Sequence, residues 1–430
     1  MAIGQPARLR RGGVMAMRVL FLCHNHPTLQ AGGTEVFARN LFRELRDRHG
    51  VEGLFLAAVT GTHREPLPGT MVQAVGEATD EMLLWLNNFD RFFLTQPDTY
   101  GLASLIPLVE ALAPDVVHVH HALQLGTETI DLVRRAAPRA RFIFTAHDFF
   151  PICPQEGQLL TTDGRLCNGP TLDGCLRCFP ERGATDIVMR QLELRDVFAD
   201  FDHILVPSEF ARGRYVASGW PAARFSVMPN GVPELPAASF RAAPDGRRDR
   251  FGFFGHINRF KGSLMLLRAS HQLSEAGVAH RVTLNGGAAY QSDAFMGEFN
   301  TALAAAPAAH YRGAYVAAEL SGLMEQVDWV VVPSIWWENA PLVVQEAFRH
   351  RRPVICSGIG GTAEMVRDGV DGLHAPVRDP AGLAEVMRRA IETEGLWQRL
   401  VEGIAPPVTL ADSACRHLKL YKAALAVASG

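Results

Sequence analysis

No uninterrupted apolar stretch in this chain of 430 residues approaches the roughly 20 needed to span a bilayer, so a membrane-crossing helix is not expected. An excess of positive charge is also missing. The formal balance is -3 with a pI near 6.6. That excludes the broad basic footprint of a nucleic-acid binder and leaves any polyanion to be bound locally. The basic "RLRRGG" near the N-terminus is not followed by the apolar core of a signal peptide. Internal repeats and long low-complexity tracts are absent as well. These absences predict a soluble, cytoplasmic protein whose contact with the inner face of a membrane, if any, is peripheral. The first sixteen residues are expected to be a disordered extension, with ordered sequence beginning at "MRVLFLCH", where Met17 is a candidate start.

What is present is apolar sequence in short runs. With 48% hydrophobic residues the chain can bury a large core, and at roughly 100–200 residues per domain it should divide into two or three. We expect two. The runs "VLFLC", "VVHVH" and "FIFTA" alternate with longer helix-like segments, the pattern of a parallel sheet covered by helices. In "GTEVFARNLFRELRDRHG", Val36, Phe37, Leu41, Phe42 and Leu45 recur at helical spacing and Gly50 closes the segment. A second alternating series begins at "RFGFFGHI" and includes "RVTLNGG", "DWVVVPS" and "PVICSG". Between the two lies "MPNGVPELPAASFRAAPDGRRDR", rich in proline, glycine, alanine and charge, which reads as an interdomain connection. The expected organisation is α/β, with one doubly wound domain over 17–235, a second over 236–409 and a C-terminal helix over 410–430.

In parallel sheets ligands gather at the carboxyl ends of strands, so the informative residues should follow the apolar runs. Gly32 and Gly33 follow the first run at the start of a helix, where free backbone N–H groups suit a phosphate or sugar oxygen; the competing reading is a plain turn. His147-Asp148 ends another strand. His118, His120 and His121 end "DVVHVHH"; strand alternation puts 118 and 120 together and 121 on the other face, which favours pocket lining over metal. Arg259 and Lys261 are cations able to neutralise an anionic leaving group, or else a solvated basic turn. In "PSIWWENAPLVVQEAF", Pro341 suits a first helical turn, so Asn339, Ala340, Pro341 and Leu342 mark a helix start with donors free for a ligand. Helical side chains lean toward the N-terminus, so Glu346 points back toward Glu338. Two acids beside a glycosidic bond are also the design of a glycoside hydrolase; the neighbouring cations and phosphate-friendly donors argue instead for an activated donor with a diphosphate leaving group.

These motifs resemble the retaining glycosyltransferases of family 4, with the GT-B fold, whose mark is two glutamates separated by seven residues, here Glu338 and Glu346. The resemblance covers most of the chain after Met17. It includes Gly32-Gly33, the "HD" at His147, "PSEF" after "HILV", the "PNGV" turn, Gly255 with Lys261-Gly262, and "GIGGTAEMVRDGVDG". It implies two Rossmann-like domains facing across a cleft, with the C-terminal helix crossing back to the first. It also implies a nucleotide-diphosphate sugar as donor and a saccharide or lipid-linked saccharide as acceptor, in surface or exopolysaccharide synthesis. Lys261 and a nearby basic residue would hold the diphosphate, Glu346 the ribose hydroxyls, and Glu338 and His147 would meet the transferred sugar. The family has arginine directly after Gly255 where this chain has His256, and Arg259 is expected to supply the missing charge. No metal is required for catalysis in such an enzyme. The Asp200-x-Asp202 pair precedes its strand and reads as a helix end. The competing functions are a nucleotide-sugar binder without catalysis and a GT-B epimerase acting on the nucleotide sugar alone.

Four of the seven cysteines, Cys153, Cys167, Cys175 and Cys178, crowd into one stretch directly after His147. A C-x-x-C pair with two further thiols suits a structural tetrahedral zinc site; free thiols and disulfides are the alternatives, disulfides last in a reducing cytoplasm. Cys23, Cys356 and Cys415 are expected to be ordinary buried residues.

Overall fold

The computed structural model describes residues 10–11, 14–30, 32–61, 71–243 and 245–426. The chain forms two compact units, residues 1–233 with 409–430, and residues 234–408. Within the expected N-terminal extension, β1 (Arg10–Arg11) and β2 (Val14–Met15) pair antiparallel, and the rest of residues 1–13 lies outside the described residues.

The first unit carries β3 (Arg18–His24), β4 (Glu52–Val59), β5 (Val72–Val75), β6 (Ala78–Trp85), β7 (Val116–Val119), β8 (Arg141–Thr145), β9 (His203–Val206) and β10 (Phe225–Val227). They form one sheet in the order β10-β9-β8-β7-β3-β4-β6-β5. Every neighbouring pair is parallel except β5 with β6. All of Val19 to Cys23 is buried, which is why that run is continuously apolar: both faces of the strand are covered. The helix Gly33–His49 lays Phe37, Leu41, Phe42 and Leu45 on the sheet and ends at Gly50, whose left-handed conformation (φ 65°) lets its N–H reach the Leu45 carbonyl. The strand β4 pairs on one side of β3, and β7 on the other. The winding direction therefore reverses between β3 and β7.

The second unit has the same logic in six parallel strands, β11 (Arg250–Phe254), β12 (Arg281–Asn285), β13 (Ala309–Gly313), β14 (Trp329–Val332), β15 (Val354–Ser357) and β16 (Gly372–Ala375), ordered β13-β12-β11-β14-β15-β16. Winding reverses here between β11 and β14.

The helix Leu410–Ala426 belongs to the first unit. Its Ala414 and Tyr421 join the core around Phe21, Phe37 and Phe42, and the Leu410 N–H donates to the Val232 carbonyl at 2.8 Å. Cys415 corrects the expectation made for it: it is exposed, because the buried face of this helix runs through Ala414, His417, Tyr421 and Ala424, and 415 points away from that face. Cys23 and Cys356 are buried. No helix among the described residues is long and apolar enough to cross a membrane.

Candidate active site

At a point where winding reverses, the loops leaving two adjacent strands diverge and leave a crevice for ligands. In the second unit those loops are 255–262 after β11 and 333–341 after β14, and they meet through Lys261 and Glu338. Lys261 Nζ lies 2.7 Å from Glu338 Oε1. The Ser334 hydroxyl (2.8 Å) and the Trp336 indole N–H (2.9 Å) donate to the same oxygen. Burial alone would raise the Glu338 pKa, but the Lys261 charge and these donors hold it below the usual carboxylate range. Two glycines permit the approach. Gly262 has φ 75°, and a Cβ there would stand 1.9 Å from the Pro333 carbonyl oxygen. Gly361 donates its N–H to the Glu338 carbonyl (2.8 Å), and a Cβ there would stand 1.7 Å from the Asn339 carbonyl oxygen.

Glu346 sits in the second turn of the helix Leu342–Arg349, eight positions after Glu338. Burial raises its carboxyl to about 7. No hydrogen bond or ion pair engages its carboxylate among the described residues. Pro341 is the cap before this helix and not its first residue, with Leu342 starting the first turn. Ala340 and Leu342 are half-buried, and Asn339 and Pro341 are buried.

In the first unit the loops after β3, β7 and β8 bring together two histidine groups. His120 Nδ1 and His147 Nε2 share a hydrogen bond of 3.1 Å, and the His120 ring lies 4.0 Å from that of His118. His118 in turn bonds Thr145 Oγ1 (2.7 Å) and Tyr421 Oη (2.6 Å). Burial, then the neighbouring His121, lowers His147 to about 3, and burial also depresses His118 and His120, so this group is neutral. The second group contains two carboxylates, Glu35 and Asp148. His24 pairs with Glu35 at 3.2 Å, its ring lies 4.2 Å from that of His121, and His121 bonds Asp148. Burial would lower His24, but Glu35 outweighs it and raises its pKa. The alternation expected for 118, 120 and 121 is thus what sorts them into separate groups. Among the described residues no three His, Cys, Asp or Glu side chains are grouped to hold a metal.

Two family models match the chain: "Glycosyltransferase Family 4" over residues 31–234 and "Glycosyl transferases group 1" over residues 248–393. Glycosyltransferase models thus match both units, and the fold is the GT-B fold. A D-inositol 3-phosphate glycosyltransferase from Frankia alni is 26% identical across 87% of this chain and 90% of its own length. One of that description from Nocardioides is 34% identical across 25% of this chain. For three such relatives the chain spans only 24%, 35% and 44% of their length. Among solved structures, Anabaena Alr3699/HepE in complex with UDP and glucose has a TM-score of 0.66 at 16% identity, covering 95% of this chain and 100% of that one.

Within the two units some of the expected site residues converge and others do not. Lys261 and Glu338 touch, and the 339–342 segment adjoins them in the same loop. Arg259 is turned elsewhere: its side chain is exposed and stands 4.0 Å from Glu298. His256 is exposed as a residue, but partial desolvation of its ring lowers its pKa, outweighing the backbone hydrogen bond to Ala289 that raises it, with Lys261 adding to the fall. Gly32 and Gly33 do precede a helix, but a Cβ on Gly32 would stand 2.4 Å from the Glu35 carboxylate, so an acidic side chain occupies the anion position at that helix start. Asp200 follows a helix end, and Asp202 accepts the Phe142 N–H at the start of β8. Sequence reasoning passed over Glu35, Ser334 and Arg378. Arg378 is a cation bonded to the Ile335 carbonyl (3.3 Å) in the loop that carries Glu338. The acidic residue directly after "GGT" was a usable signal for Glu35; nothing in the sequence marks Arg378.

Proposed function

We propose that this glycosyltransferase moves a sugar from a nucleoside-diphosphate donor to a saccharide acceptor with retention of configuration, in the building of a surface or exopolysaccharide. The observation that carries the reading is the Lys261–Glu338 pair at the β11/β14 reversal, with the unpartnered, half-buried Glu346 one helix turn beyond. A carboxylate left without a partner in that position suits the two adjacent hydroxyls of a ribose, each donating to one oxygen. Lys261 would leave Glu338 for the donor diphosphate and stabilise charge on the leaving phosphate, freeing Glu338 to accept from the transferred sugar. Arg378 is a better-placed second cation than Arg259. Catalysis so arranged rests on positioning and on protein cations, with no metal required. His147 is neutral at physiological pH. A uridine or other nucleoside diphosphate is equally accommodated by these groups; the neighbour solved with UDP and glucose makes UDP-glucose the first donor to try. A lipid-linked acceptor, with peripheral contact to the inner membrane face, fits the reading equally well.

The test is a thermal-shift and titration panel of UDP, GDP, ADP and dTDP sugars against the native chain and Glu346→Ala. One donor is expected to stabilise the native chain, by about 2.7 kcal/mol at a hundredfold excess over its dissociation constant, with loss of at least tenfold affinity in the variant. Equal affinity in both would remove the ribose role. Product formed without acceptor would favour the epimerase, and binding without turnover across acceptors the non-catalytic binder.

A further inference from the structure

After His147-Asp148 the first unit runs through residues 150–171 without a helix or strand, joined across itself by one bridge between Leu160 and Leu166. The short helix Leu172–Cys178 that follows has no buried residue. Its buried side chains, among them Phe150, Ile152, Leu159 and Leu160, all lie before that helix, which is left without a core contact of its own. The segment has a cavity of about 40 Å³ whose wall includes all four clustered cysteines, Cys153, Cys167, Cys175 and Cys178. Cys175 and Cys178 are three residues apart on one helix and so share a face.

Beside this cavity lies a cation that no acidic side chain neutralises among the described residues. Arg190, 1% exposed, donates to the carbonyls of Phe92, Phe150 (2.6 Å) and Pro151 (3.2 Å). No carboxylate pairs with it among the described residues. The ionisable groups that act on it most are Cys153 and Cys175, ahead of Tyr215. As neutral thiols these give no counter-charge, and a guanidinium buried without one is costly.

We propose that Cys153, Cys167, Cys175 and Cys178 bind one structural zinc ion as four thiolates, with the buried guanidinium of Arg190 as the counter-charge. Four thiols lose four protons to solvent on binding Zn²⁺, leaving a centre of net charge −2 against which Arg190 is paired. Soft thiolates in tetrahedral number select zinc, and four protein ligands leave no position open for catalysis. The thiols are turned to backbone acceptors in the structure, Cys167 to Gly169 (3.2 Å) and Cys153 to Gln155 (3.8 Å). No metal-ready group stands among the described residues, so binding would require these thiols to leave their backbone acceptors and turn into the cavity. The ion would fix the stretch leaving His147-Asp148, which Arg190 already ties down through the Phe150 and Pro151 carbonyls.

The test is metal analysis of the full chain purified under reductant without chelators, with cobalt(II) reconstitution of the same native protein. One zinc per chain, and the charge-transfer and ligand-field bands of a tetrahedral cobalt tetrathiolate, are expected. Cys175→Ser with Cys178→Ser should bring zinc to background. Arg190→Met should weaken zinc at least tenfold in chelator competition. A native chain that carries no zinc and takes up no cobalt would overturn the proposal, as would two disulfides found after alkylation without reductant. An unchanged zinc affinity in Arg190→Met would overturn the counter-charge. None of these readouts depends on transferase activity.

Discussion

At the scale of single residues, the chemistry of the second unit is decided by which oxygen each donor reaches. Three donors converge on Glu338 Oε1, from Lys261, Ser334 and Trp336. Trp336 holds its own chain's carboxylate, and its ring lies 5.6 Å from the Lys261 ammonium. Trp336→Phe keeps the ring and deletes the donor. It should lower kcat/KM about tenfold to a hundredfold, the worth of one hydrogen bond to a charged group; steady-state kinetics beside Glu338→Gln would check this, and an unchanged rate would leave Trp336 as packing only. Glu346 offers a pH signature. Its folded pKa of about 7 stands above its ordinary value of 4.5, so the group costs nothing when both states are protonated, and the cost builds as pH rises from 4.5 to 7 and is complete above that. Glu346→Gln should therefore leave stability unchanged near pH 4 and raise it by about 2 kcal/mol at pH 8, discounted for partial exposure. Denaturant titrations at both values would measure the difference. A gain at pH 4 equal to that at pH 8 would show that the charge is not its cause.

At the scale of elements, the site is made by loops that approach more closely than side chains allow. Gly262 begins the helix Ser263–Glu275 in a left-handed conformation against the Pro333 carbonyl. Gly262→Ala should cost about 1–3 kcal/mol, through strain and through displacement of the loop that carries Lys261. Thermal unfolding would show it, with weakened donor binding alongside. An unchanged midpoint would mean that the β11 and β14 loops relax at no cost. The helix Leu342–Arg349 was legible from its 3.6-residue pattern, although Pro341 precedes its first turn. The helix Gly33–His49 was legible in the same way. Its buried Glu35 was not, because an acid on an apolar face is explained only by His24, which arrives from β3.

At the scale of the whole molecule, the chain returns after residue 408 to complete the unit it left at residue 233. Ala414, His417 and Tyr421 are buried there, and the Tyr421 hydroxyl ends the histidine chain His147–His120–His118. Truncation after Val408 should therefore damage the first unit, exposing the Phe37 side of its core. Protease cleavage concentrated before residue 233, with residues 234–408 resistant, is the expected pattern. Equal resistance of both units would show that the last helix is dispensable. The amino-acid sequence by itself determined the class of fold, because apolar runs of strand length alternating with helical periodicity have one economical burial, a parallel sheet between helices. It also placed the glycines, histidines and acids of the candidate site in loops at the carboxyl ends of strands. Tertiary structure alone decided the pairings. Lys261 with Glu338, Arg259 with Glu298, and Cys153 near Arg190 each join residues tens of positions apart. Their partners depend on strand order and on loop geometry to within a few ångströms, which no local pattern encodes.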